Sequence, residues 1–171
     1  MSMLIKSYIT RETGSAAVEM ALVLPILLTL MFGSFELGNY FLDNHMVTKA
    51  VRDGARYASR GLPLKESCAA TIADTTAVIA NTQNITTYGA LGTGTARLPD
   101  WDTDNVFVTF SCSTTGNPAG IYSHMTDGAP VVTVTATIQY RSLFGEMTGV
   151  RGFSTSGLNI TAQSQIPVMG L

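Results

Sequence analysis

Between Met20 and Phe35 the chain runs 16 residues without a charge, and from Ser15 to Phe35 only Glu19 is charged in 21 residues. As a helix at 1.5 Å per residue the longer stretch measures roughly 31 Å, close to the roughly 30 Å hydrocarbon thickness of a bilayer. Such a helix can span a membrane once. Charged residues make up only 13% of the whole chain, well below the typical value of about 25%, and the longest apolar run lies before Leu42.

The flank before the run carries Lys6 and Arg11 against Glu12, and the nearest charges after it are Glu36 and Asp43. The positive-inside rule then predicts an N-in, C-out single pass, with residues 15–35 in lipid and everything after about Phe35 exported. Three readings fit such a segment. A cleaved secretory signal needs a small-x-small site, which "MFGSFELGN" does not supply, and a plain signal anchor needs no processing. The third is a leader ending at Gly14, with the apolar helix kept. A cut between Gly14 and Ser15 makes Glu19 the fifth residue of the mature chain. The new ammonium at Ser15 and the Glu19 carboxylate are then one helical turn apart, and can pair within a helix or between staggered neighbours. Pairing offsets part of the roughly 2.5–3.5 kcal/mol cost of an acid deep in the bilayer, whereas an interfacial carboxylate can also snorkel.

The residues "RETGSAAVEMALVLPILLTLMFGSFELGNYF", Arg11 to Phe41, resemble the N-terminus of the TadE-like family of pseudopilins, minor pilins of tight-adherence pili. Three details carry the resemblance: Gly14 before Ser-Ala-Ala-Val-Glu, the Leu24–Pro25 step, and Phe-Gly-x-x-Glu-Leu-Gly at Phe32 to Gly38. It implies that a prepilin peptidase cuts after Gly14, that Glu19 serves assembly, and that the partners are other minor pilins, the major pilin and the assembly platform. It also implies residence in the cytoplasmic (inner) membrane, then in the pilus or outside the cell. Major subunits of such pili usually carry Tyr directly after the Glu and are much shorter. Met20 and the longer chain therefore favour a minor subunit, and Ser15 at the new N-terminus puts N-methylation in doubt.

Pro25 removes one backbone hydrogen bond and crowds the carbonyl of Ala21, which predicts a kink or a loosened turn. Beyond Glu36 the pattern becomes amphipathic. Leu37, Tyr40, Phe41, Val47, Val51, Gly54 and Ala58 recur at three- and four-residue spacing, with Lys49, Arg52, Arg56 and Arg60 on other faces. One helix is expected over 15–60, ended by Gly61 and Pro63. A second is expected over Ser67–Asn84 with Ser67 as its cap, followed by a loop at "TTYGALGTGTAR".

Strand patterns follow at Val106–Phe110, at Val131–Tyr140, where Val132, Val134, Ala136, Ile138 and Tyr140 alternate with Thr and Gln, and at "GLNITAQSQI", where Leu158, Ile160 and Ala162 alternate with polar residues. The expected fold class is α+β: a long N-terminal helix, membrane-spanning then amphipathic, packed on a small head with a second helix and an antiparallel sheet. The expected division is a leader over 1–14, the helix over 15–60 and an exported head over 61–171. In an exported head, Cys68 and Cys112 can form a disulfide; otherwise they remain two buried thiols.

Little in the chain suggests chemistry. The two histidines, His45 and His124, stand in no catalytic pattern, and GxSxG, Walker and HExxH motifs are absent, so no enzyme is expected. Neither cysteine has zinc spacing, and no cofactor is expected. Asp100, Asp102 and Asp104 match the start of a calcium loop. However, Asn105 stands at the required Gly and Ser111 at the bidentate Glu, so an acidic turn is the preferred reading. With a net charge of -2 and no basic run, nucleic acid is excluded as a partner. Trp101 and Tyr122 fall in expected loops, where a single aromatic usually packs on its own domain. The alternative to the pilin reading is an uncleaved, membrane-anchored extracytoplasmic binding domain.

Overall fold

The structure, a computed structural model, describes residues 13–62, 67–73, 75–113, 120–144 and 157–169. The first helix, α1, runs from Thr13 to Gly61 without a break, in line with the helix expected over 15–60. Gly61 ends it as expected, and Pro63 lies outside the described residues. The chain divides into two compact units, residues 1–39 and 40–171, so the amphipathic part of α1 belongs to the head.

Within the head, the buried positions of α1 are Val47, Ala50, Val51, Gly54, Ala55, Ala58 and Ser59. This is the i, i+3, i+4, i+7 stripe that a 3.6-residue repeat places on one face. Tyr40 joins the core in part, but Phe41 is exposed. Six residues before Val47 is about 120° around the helix from it, which takes Phe41 off the stripe.

Two helices follow instead of the one expected over Ser67–Asn84: α2, Cys68–Ala73, and α3, Thr76–Tyr88. Thr75, a β-branched residue of poor helix propensity, lies between them, and its carbonyl accepts the Ile79 N–H at 2.8 Å to start α3. The Ser67 hydroxyl, proposed as a cap, donates to the Asp127 carboxylate. α3 runs past Asn84 and takes in the first residues of the expected loop. It ends at Gly89, whose left-handed φ of 78° lets its N–H reach the Ile85 carbonyl at 2.9 Å.

The sheet has three strands, β1 Val106–Ser113, β2 Ala129–Gln139 and β3 Asn159–Pro167, in the order β1-β2-β3 with both pairings antiparallel. Register aligns the inner face in rows: Phe110, Val132 and Ile166; Val108, Val134 and Ser164; Val106, Ala136 and Ala162; then Ile138 opposite Ile160. Val132, Val134, Ala136, Ile138 and Tyr140 are all buried, as their alternation predicts. Leu158 is not: it lies beyond the last ladder pair, Gln139 with Asn159, and stays exposed.

Strand and helix residues form one core, with Val47, Ala50, Val51, Ala55 and Ala58 of α1 packed among Val106, Val132, Val134, Ala136, Ile138 and Ile160. Full burial of one such Val or Ile is worth roughly 1.5–3 kcal/mol, so this stripe is what holds the helix to the sheet. Trp101 and Leu98, from the segment before β1, complete the core, so Trp101 packs on its own domain. Cys68 at the start of α2 and Cys112 near the end of β1 are joined by a disulfide with a Cα–Cα distance of 5.9 Å.

Candidate assembly segment

Ala is frequent and Gly rare in Ser15–Phe35, and the apolar side chains there are mostly Leu, Met and Val, compatible with an unbroken helix in an apolar medium. Every side chain from Gly14 to Met31 is exposed, Leu22 to 69% and Leu30 to 65%. An exposed apolar surface of this extent calls for lipid or protein around it. By length and composition this helix is able to cross a membrane, and it fits a membrane anchor.

The Gly14–Ser15 peptide bond lies in the first described residues of α1. Glu19 is one turn further, about 6 Å along the axis from Ser15, with its side chain exposed among Val18, Met20, Leu22 and Val23. Pro25 sits inside the helix, and the Thr29 hydroxyl donates to the Pro25 carbonyl at 2.8 Å, as Ser34 does to Met31 at 2.9 Å. These bonds satisfy hydroxyls that would otherwise be costly in lipid.

The remaining sequence candidates lie in the head. Asp102 caps a 3-10 turn at Thr103–Asn105: its carboxylate accepts the Thr103 N–H at 2.6 Å, and the Asn105 side chain accepts the Asp102 N–H at 3.2 Å. Asp100, at a positive φ of 60°, faces Arg141 at 3.6 Å. Asp104 is exposed on the same turn. Among the described residues no group of three or more His, Cys, Asp and Glu converges to hold a metal ion. The Tyr122 hydroxyl donates to the Val168 carbonyl, and burial raises its pKa above the usual phenol value.

Residues missed by the sequence reading are the threonines of α3. Thr82 and Thr86 are fully buried, their hydroxyls returned to the carbonyls of Val78 at 2.6 Å and Thr82 at 2.8 Å. Their signal was the four-residue spacing beside the small residues of α1, visible only once the two helices are known to touch.

Residues 14–56 match the family model described as TadE-like protein. The matched stretch begins at Gly14 and takes in the apolar segment and most of the amphipathic one. Among curated proteins and solved structures, none is significantly similar to the chain. The match makes this chain similar to TadE-like proteins over α1, consistent with a pseudopilin. It suggests a pilus-associated, structural and non-enzymatic subunit.

Proposed function

We propose that this chain is a minor pilin of a tight-adherence pilus, made as a single-pass protein of the inner membrane with its N-terminus inside. In this reading a prepilin peptidase cuts between Gly14 and Ser15. The helix from Ser15 then enters a filament, or primes one, together with other minor pilins, the major pilin and the assembly platform. Pro25 loosens the helix locally for packing among neighbours.

One observation carries the reading: a single helix joins an apolar segment, exposed on all sides from Gly14 to Met31, to a stripe buried in an α+β head. An anchor alone needs the first part. A helix that is first lipid-bound and then bundled with its neighbours makes use of both, and gives the Glu19 carboxylate a partner in the Ser15 ammonium. The TadE-like match supports the same reading.

N-terminal sequencing of the mature protein tests it. The expected first residue is Ser15. A retained Met1–Gly14 segment would falsify the pilin reading and leave an uncleaved, membrane-anchored binding head.

A further inference from the structure

Four cations share the face of α1 that turns away from the head's core. Lys49, Arg52, Arg56 and Arg60 are all exposed, and at about 100° per residue they fall within about 80° of one another, opposite the Val47, Val51, Gly54 and Ala58 stripe. Among the described residues none of the four makes an ion pair. Asp53 beside them is taken by Arg97 at 3.4 Å. Arg56 and Arg60 also line a cleft of about 430 Å³ with Asp53, Tyr57 and Gly61. Like charges at i, i+4 destabilise a helix, so folding does not call for this row in a chain whose net charge is -2.

The opposite charge lies on the turn that enters β1. Asp100, Asp102 and Asp104 are exposed there, against Arg141 alone, with the Arg141 and Asp100 side chains 73% and 84% exposed. Tyr140, next to Arg141, packs its ring on Tyr40 at 5.3 Å. The acidic turn is therefore tied to the Tyr40 end of the head, and the basic row begins about 13 Å further along the helix and ends about 30 Å along it. The two patches of one copy are offset along the axis and cannot serve one another.

We infer that the basic row of one copy receives the Asp100–Asp104 turn of the next, the two displaced along the axis of α1. This contact joins different surfaces on the two copies, and a contact of that kind repeats into a filament unless rotation closes it. A lipid surface fits the row less well. Membrane-surface helices insert an apolar face, and here that face is already buried in the head, with no exposed large apolar side chain between Met46 and Arg60. The inference rests on the filament-subunit reading above and adds to it a contact between copies of this chain.

Carbodiimide coupling joins an ammonium to a carboxylate in direct contact, and Lys49 is the amine of the row. The experiment mixes unlabelled and nitrogen-15-labelled full chain at high concentration in detergent and maps the products by mass spectrometry. Expected is a mixed-isotope crosslink between the Lys49 peptide and the peptide carrying Asp100–Asp104, reduced at least tenfold by Arg56→Glu. Combining Arg56→Glu with Asp104→Lys should restore coupling, now between positions 56 and 104. Both changes fall on exposed side chains and leave the Asp102 cap in place, and an intact Cys68–Cys112 bond in each variant reports the fold. Crosslinks confined to one isotope, coupling of Lys49 to other carboxylates, or no recovery in the paired variant would each overturn the inference. The cut after Gly14 is read separately by N-terminal sequencing, so failure of one is distinguishable from failure of the other.

Discussion

The Thr86 hydroxyl of α3 occupies the place where a side chain on Gly54 of α1 would begin, so a Cβ at position 54 would collide with Thr86 Oγ1. The same hydroxyl donates to the Thr82 carbonyl at 2.8 Å, so it cannot turn away without leaving a buried polar group unpaired. Gly54→Ala should lower the stability of the head by about 1–3 kcal/mol in denaturant unfolding. Adding Thr86→Ala should return a good part of the loss. Two simply additive losses would show that the helices do not meet at this point.

The disulfide closes a separation of 44 residues, worth about 4 kcal/mol if chain entropy alone acts. Cys68→Ser with Cys112→Ser should therefore lower stability by about 2–4 kcal/mol and loosen α2 from β1. Thermal unfolding with and without reductant checks this, and wild-type protein insensitive to reductant would count against the bond.

Asp43 has its pKa raised above the usual 3.8 by burial. A raised carboxylate pKa means that the folded state holds its proton more tightly. The contribution to stability is then fully present below pH 3.8 and is lost as pH rises through the folded value, because the charged form is poorly solvated. Asp43→Asn should be more stable than wild type at neutral pH, and the difference should shrink toward pH 3. Urea unfolding at several pH values measures it; a difference that grows in acid would reverse the assignment.

Asp102 is committed to capping, so Asp102→Ala should cost about 0.5–2 kcal/mol of stability whether or not calcium is present. Titration calorimetry with calcium on the full chain is expected to show no saturable heat. A saturable signal abolished by Asp102→Ala would restore the calcium-loop reading.

Glu19→Ala should leave membrane insertion and the cut at Gly14 intact, since replacing a charge with an apolar residue in the helix lowers its insertion cost by roughly 2.5–3.5 kcal/mol or less, depending on depth. Pilus assembly should be lost. Piliated cells carrying this substitution would remove Glu19 from assembly.

Much of this protein is set by local periodicity. A stretch of 21 residues with a single charge is long enough as a helix to cross a bilayer, and Val132 to Tyr140 can bury only one face because strand side chains alternate. Those two patterns were enough to read the long helix, the α+β class and the buried face of β2. The relation among Gly14, Ser15 and Glu19 that the proposed cut uses is likewise one of spacing along a single helix. The exposure of Leu158 and the close approach at Gly54 were not legible. Each depends on which faces meet, and spacing within one element carries no information about its neighbour. The offset of the basic row from the Asp100–Asp104 turn belongs to the same group: Arg56 and Asp104 stand 48 residues apart in the sequence. Only the packing of Tyr40 on Tyr140 fixes which end of the helix the acids share, because a long-range contact, unlike a period, exists only once the chain has folded.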